Sequence, residues 1–279
     1  MAQHGKVWLI TGVSSGFGRE LARAALARGD TVAGTLRSES KFADFRALAP
    51  GRAHAYRLDV TDLAAIPRVV GEVTERLGRV DVLVNNAGYG QMGLIEELSE
   101  PEIRRQFETN FFGLLELVRA VLPGMRARRS GHIVNISSVA GSSGIPSFGI
   151  YCASKFAVEG LSESLAGEVA PFGIRVTIVE PGGFRTEFSG GSIGSAQRVM
   201  AEYAETPAGK VREMFAGYHG HEPGDPAKAA DAILRVVDAT HPPLRLVLGL
   251  DALTMLRRRM ASVIKDYDDW AELSSSTNY

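Results

Sequence analysis

Short, largely β-branched apolar runs alternate along the chain with longer stretches in which apolar residues recur every three or four positions. The runs are Val7 to Thr11, Thr31 to Leu36, Ala53 to Leu58, Val80 to Val84, His132 to Ile136, Ile174 to Val179 and Leu244 to Leu248. Seven candidate strands follow from that pattern. Helical periodicity fits 17–28, 39–48, 62–77, 100–129, 151–170 and 226–239. Strict alternation of strand and helix predicts an α/β, doubly wound parallel sheet of about seven strands, with helices on both faces and right-handed connections.

One interval breaks the rhythm. Pro181 to Gly224 is long and glycine-rich at Gly190, Gly191 and Gly194, with a weak helical pattern over 196–215. Loops of that length in compact domains are usually functional, so 185–224 is expected to form a substrate lid. The stretch 251–279 carries Leu253, Leu256 and Met260 on one helical face, with Trp270 and Leu273 beyond; it is expected to cover the pocket or dock on a neighbour, the alternative being a core-packing amphipathic helix followed by a frayed polar tail from Ser274 to Tyr279. The whole of 1–279 is expected to be one domain.

Composition narrows the function classes. A hydrophobic content of 45% over 279 residues can fill a sizeable core. The 31 basic and 32 acidic residues give a net charge of −1, and the arginine clusters are short, which argues against a nucleic-acid surface. The single Cys152 excludes an intramolecular disulfide and any cysteine-clustered zinc site. His219 and His221 read as a surface pair rather than metal ligands, since no matching carboxylate set accompanies them. No apolar stretch approaches the roughly 18 residues of a membrane span, and Val7–Ile10 is too short for a secretory core. A cytoplasmic protein is expected.

Candidate chemistry starts at Thr11-Gly12-Val13-Ser14-Ser15-Gly16-Phe17-Gly18, which lies between the first strand and the first helix. Strand, glycine turn and helix in that order suit a phosphate: Gly12 permits the turn, Gly16 a close backbone approach, and Gly18 tight helix packing. Polar residues then recur at successive strand ends: Asp59 before Val60, Asn85-Asn86-Ala87-Gly88, Ser137-Ser138 and Pro181-Gly182. Each also has an ordinary explanation as a cap, an Asx turn or a backbone partner. Together they describe one crevice beyond the C-terminal strand ends.

Tyr151 and Lys155 stand four positions apart, so a helix sets phenol and ammonium on one face. An adjacent ammonium favours the phenolate and makes the phenol, with a free pKa of about 10, a usable acid or base.

Thr11-Gly12-x-x-x-Gly16-x-Gly18, Asn85-Asn86-Ala87-Gly88, Asn110, Ser138, Tyr151-x-x-x-Lys155 and Pro181-Gly182 together resemble the short-chain dehydrogenase/reductase family, in its compact single-domain Rossmann branch. The match is strong over 6–181 and weaker beyond. The resemblance implies Tyr151 as general acid/base, Lys155 as the residue that lowers its pKa and binds the nicotinamide ribose, Ser138 as a hydrogen-bond donor to the substrate oxygen, and Asn110 as the anchor of a water leading to Lys155. It implies a cofactor site built from Gly12, Ser14, Ser15, Gly16, Phe17, Gly18, Arg37, Asp59, Val60, Asn86, Ala87, Gly88, Tyr151, Lys155, Pro181, Gly182 and Thr186. Pocket walls would include Gln91, Phe148 and Phe184 beside Ser138 and Tyr151.

Cofactor choice turns on the end of the second strand. An acid near residue 36 would favour NAD, whereas here Leu36 occupies that place and Arg37 follows. A guanidinium can pair bidentately with a 2′-phosphate, so NADP(H) is favoured over NAD(H). Glu39 keeps NAD(H) open. The expected activity interconverts a lipophilic ketone or aldehyde and its alcohol. A dinucleotide-binding redox sensor without acid/base need is the alternative class, and a sugar-nucleotide epimerase would require more C-terminal material. Small residues Ala157, Gly160, Ser164 and Gly167 along 151–170 allow close helix contact, and the family resemblance implies that this helix and the one at 100–129 pair across a subunit two-fold, giving a homodimer or homotetramer.

Overall fold

The computed structural model describes residues 5–279; Met1 to His4, included in the one-domain reading, lie outside the described residues. All seven apolar runs become strands of one sheet: β1 (Val7–Thr11), β2 (Thr31–Leu36), β3 (Ala53–Arg57), β4 (Val82–Asn85), β6 (Gly131–Ile136), β7 (Ile174–Pro181) and β9 (Arg245–Leu248). Their spatial order is β3-β2-β1-β4-β6-β7-β9, and every pairing is parallel. The chain winds outward from β1 to β3 and returns to β4, so the order reverses between β1 and β4. Ligands of such sheets bind at that switch point.

Successive side chains of a strand point to opposite faces. Trp8 and Ile10 accordingly enter one core and Leu9 the other. The first core receives α1 (Gly16–Ala27), α2 (Phe42–Arg46) and α8 (Pro226–Asp238). The second receives α3 (Ala65–Leu77), α5 (Gly113–Arg128) and α6 (Gly149–Val169). Trp8 is fully buried in the first core, and its indole N–H donates to Asp30 at 2.8 Å.

Several boundaries differ from the periodicity for local reasons. The helix expected at 39–48 is a 3-10 turn, Glu39–Lys41, followed by α2. The one expected from 62 begins at Ala65, because Asp59 and Asp62 accept backbone N–H groups of Thr61 and Ala65 in turns of their own. The long helix expected at 100–129 is divided: α4 (Glu100–Phe107) leads into a π-helical turn at Glu108–Phe112 and then α5. Ser99 and Glu102 form a capping box at its start. The C-terminal helix α9 (Leu250–Asp269) continues into α10 (Ala271–Ser275), so helix extends into the stretch expected to fray.

The interval 181–224 is ordered by pairing that no local pattern announces. β5 (Gly90–Met92) and β8 (Ile193–Ser195) form a separate two-stranded parallel sheet, and α7 (Pro207–Ala216) follows. Glu97, whose side chain is wholly buried, accepts the backbone N–H of Met200 at 2.9 Å and the guanidinium of Arg212. Glu102 accepts Gln197 N–H at 3.2 Å, and Ser147 donates to the Ala208 carbonyl at 2.7 Å. Among the described residues no helix is long and apolar enough to cross a membrane.

Candidate active site

The loop between β1 and α1 has the backbone its glycines permit. Gly12 and Gly16 adopt φ values of 72° and 56°, which side-chain-bearing residues rarely enter. The N-cap Ser15 is extended and its hydroxyl caps nothing, and no acid stands in the first turn of α1. The first-turn amides of a helix have no intrahelical acceptor, and the helix dipole there favours an anion. A Cβ on Gly16 would meet only Thr186, at 3.5 Å, so the backbone is open to a close-approaching group. Thr186 therefore reaches the loop from the other side of the crevice, its hydroxyl accepting Phe188 N–H at 3.2 Å. These features fit a dinucleotide pyrophosphate.

Asn86 and Ala87 tie the end of β4 to this loop. Asn86 donates from its amide to the carbonyls of Thr11, at 2.8 Å, and Gly12, at 3.2 Å; the backbone N–H groups of Asn86 and Ala87 both donate to the Thr11 hydroxyl. Gly18 is the glycine that makes the junction possible, since its Cβ would sit 2.5 Å from the Gly12 carbonyl oxygen and collide with the Asn86 amide. Asp59 uses one carboxylate oxygen in its own turn, and the Val60 side chain is buried in the second core. Arg37 is exposed just beyond β2 and has no ion pair among the described residues, whereas Glu39 pairs with Arg57 at 3.6 Å. At the end of β7, Gly182 N–H donates to Leu248, and Gly183 N–H donates to Asp251 at 2.8 Å. A Cβ on Gly182 would collide with that same carboxylate. Asp251, at the start of α9, fixes this edge of the crevice and carried no signal in the sequence.

Tyr151 and Lys155 lie one turn apart near the start of α6, both buried. Lys155 Nζ is 5.9 Å from the Tyr151 ring centre and donates to the Ile136 carbonyl at 2.7 Å. Ser138 follows β6, and its Oγ accepts Ala140 N–H at 3.1 Å. Asn110 occupies the π-helical turn. Its amide donates to the Tyr89 carbonyl at 2.9 Å and Ser154 at 3.2 Å, and its Oδ1 accepts Tyr89 N–H at 3.1 Å. A Cβ on Gly88 would sit 3.2 Å from Asn110 Oδ1 and 3.8 Å from Lys155 Nζ, so this glycine forms the floor on which the two meet.

Burial dominates the protonation of both members of the pair. Burial pushes the Tyr151 phenol up to about 12, with only the Ser138 hydroxyl pulling the other way. Burial likewise brings Lys155 down to about 8, opposed by Glu159. Glu159 lies a further turn along α6 and is itself 5% exposed. Burial, despite the Ser137 hydroxyl, holds its carboxyl up at about 7, and Glu180 adds to the rise while Arg245 and Lys155 oppose it. Arg245 approaches to 3.4 Å, yet neither Glu159 oxygen has a hydrogen-bond partner. Sequence reasoning missed this buried acid because a glutamate in an amphipathic helix ordinarily faces water.

Around the phenol stands an aromatic wall. Phe148 contacts Tyr151 edge-on at 6.2 Å between centroids and packs on Phe215 at 4.7 Å, while Phe188 lies 5.6 Å from Tyr151. Met92, Ile193 and Val211 complete it. Phe184, expected in this wall, packs elsewhere: its ring meets Phe17 at 5.0 Å beneath the glycine loop, drawn there by the Phe184–Gly224 backbone bridge. Gln91 is buried on β5 with its Nε2 unpartnered, its backbone N–H donating to Gln106 at 2.7 Å. A cleft of about 750 Å³ lies beside α9, lined among others by Ser143, Pro223 and Met255, and none of Asn110, Ser138, Tyr151 or Lys155 lines it.

The comparisons agree with this geometry. The family model described as short chain dehydrogenase matches residues 6–193. A short-chain dehydrogenase from Streptomyces avermitilis has a crystal structure that superposes with a TM-score of 0.93 at 49% identity, covering 100% of both chains. Human retinol dehydrogenase 8 is 42% identical over 88% of this chain and 82% of its own, and 3-ketodihydrosphingosine reductase of Bacteroides thetaiotaomicron is 40% identical over 88% of each. Two more distant structures hold cofactors. ElxO with NADP bound has a TM-score of 0.72 at 29% identity (88% of this chain, 96% of that one), and a Burkholderia phymatum enzyme with NAD has 0.80 at 27% (95% and 97%). With sheet, glycine loop and tyrosine–lysine pair already in place, these matches establish that the chain is an oxidoreductase belonging to the short-chain dehydrogenase family.

Proposed function

We propose that the chain is an NADP(H)-dependent oxidoreductase that interconverts a lipophilic ketone or aldehyde and the corresponding alcohol, with Tyr151 as the acid/base. The observation that carries this reading is the grouping of Lys155 with Asn110 over Gly88 and with Tyr151 along one helix face, Tyr151 lying beside Ser138, near a glycine loop open to pyrophosphate. A bound nicotinamide supplies the hydride, and the chain supplies proton, orientation and electrostatics.

In reduction, the Tyr151 hydroxyl would donate its proton to the carbonyl oxygen; in oxidation its phenolate would take the proton back. Ser138 donates a hydrogen bond to the same oxygen and stabilises the charge developing there. Lys155 stabilises the phenolate left behind, which in this buried setting is otherwise costly. The π-helical turn at Asn110 departs from the regular helical ladder beside Lys155, which suits a water leading the proton outward.

Arg37 supports NADP(H): it is exposed and unpaired among the described residues at the edge where a 2′-phosphate would lie, while Glu39 is drawn to Arg57. Phe148, Phe188, Phe215 and Met92 support an apolar substrate, and the relatives named for retinol and ketodihydrosphingosine point the same way. The small residues of α6 and the adjoining α5 face support assembly into a dimer or tetramer. A cytoplasmic location and a single domain with 185–224 as lid belong to the same reading.

The test is cofactor oxidation by purified protein with long-chain and polycyclic ketones against small polar ones. Turnover of the apolar set with NADPH is expected. Absence of turnover with every carbonyl, or preference for the polar set, would contradict the proposal.

A further inference from the structure

The helix α9 leaves the body of the protein partway along its length. Ala252 and Leu256 are buried against Val139 and Val247, but from Arg257 to Tyr279 only Val263 is even partly covered. Isolated helices of this length are marginal in water, so a helix that protrudes this far is normally stabilised by packing. The face that docks on the body does not stop at its edge. Leu253, Leu256, Met260, Val263, Ile264, Tyr267 and Trp270 follow three- and four-residue spacing along one stripe, and Met260, Ile264, Tyr267 and Trp270 are each more than half exposed.

Charge along the helix says what covers the stripe. Arg257, Arg258 and Arg259 stand in its first half; Asp266, Asp268 and Asp269 stand beyond its midpoint, and Glu272 follows in α10. Lys265 and Asp269 pair with each other, but Arg257, Arg258, Arg259, Asp266 and Asp268 have no ion pair among the described residues. Arg259 and Asp266 are seven positions apart and so lie on the same edge of the stripe. Two copies of the helix laid antiparallel about a two-fold axis near Ser262 and Val263 bring Arg259 of each to Asp266 of the other, with the apolar stripes facing. A bilayer suits the stripe less well, because an anionic surface that attracts the arginines repels the four acids.

We infer that the protruding part of α9 is a self-complementary docking surface for a second copy of this chain, paired antiparallel. The inference is independent of cofactor and substrate. Sedimentation velocity on the full chain tests it with Arg259→Asp, Asp266→Arg and the double exchange. Each single variant is expected to shift the protein to a smaller assembly by juxtaposing like charges, and the double variant to restore the wild-type assembly. Tyr267→Glu should also give the smaller assembly, with activity retained.

A monomeric wild type, single variants that sediment like the wild type, or a double variant that stays small would each overturn the inference. Stripe-dependent binding to phosphatidylglycerol/phosphatidylcholine vesicles with no change in assembly would do the same, in favour of a membrane.

Discussion

Lys155 Nζ lies 5.9 Å from the centre of the Tyr151 ring and gives its short hydrogen bond to the Ile136 carbonyl. The two residues share a helix face, as their spacing requires, but burial dominates both: the phenol sits near 12 and the ammonium near 8. Reduction needs a protonated phenol and a charged lysine together, and the lysine is the first to lose its proton as pH rises. Reductive kcat/KM, measured from pH 6 to 10, is therefore expected to be flat below about 8 and to fall above it. Lys155→Met should lower activity by about 10²-fold or more and abolish that limb.

Gly18→Ala tests the glycine junction. The added methyl meets the Gly12 carbonyl oxygen and the Asn86 amide, neither of which can yield without disturbing β4 or the loop. A loss of about 1–3 kcal/mol in stability is expected, together with at least a tenfold weaker NADPH affinity by fluorescence titration.

Much of this was legible in the chain. The seven strands announced themselves because buried parallel strands are apolar runs, and the glycine loop, Asn86, Ser138 and Tyr151 because their chemistry depends on residue type and order. Other features depend on contacts between distant segments. Pairing of β5 with β8 joins residues about a hundred positions apart, so no local period reveals it. Phe184 belongs to the pocket wall by family resemblance, but its backbone bridges Gly224 and its ring packs on Phe17. The π-helical turn is invisible to a periodicity that simply continues from α4 into α5. The elevated phenol arises from burial of Tyr151, against which Phe148 and Phe188 pack, and four-residue spacing cannot convey that burial.

Glu159 gives a stability test with a definite sign. Its folded-state value near 7 lies above the unfolded value of 4.5, so the folded state holds the proton more tightly. The carboxyl therefore costs nothing below about pH 4.5, and stability is lost as pH rises towards 7. Glu159→Gln removes the group that titrates. Relative to wild type, the variant should gain on the order of 3 kcal/mol at pH 8 and little at pH 4, read from chemical denaturation. His132, which burial lowers to about 4, titrates in both proteins and cancels from the difference.

Arg37→Ala tests cofactor choice. Removing the unpaired guanidinium is expected to raise KM for NADPH about tenfold or more while changing KM for NADH little, as measured in parallel steady-state assays.

Arg212→Ala tests the lid. The guanidinium is one of the groups that hold α7 to buried Glu97, and α7 carries Val211 and Phe215 into the wall around Tyr151. KM for the carbonyl substrate should rise several-fold with NADPH affinity unchanged, since the glycine loop is untouched.

The most direct test of the account is Tyr151→Phe, which deletes one hydroxyl from an otherwise preserved ring. Pre-steady-state NADPH oxidation with a ketone that the wild type turns over should be slowed by about 10²–10⁴-fold, with NADPH binding unaltered. Turnover near the wild-type rate in that variant would contradict the assignment of Tyr151 as the acid/base.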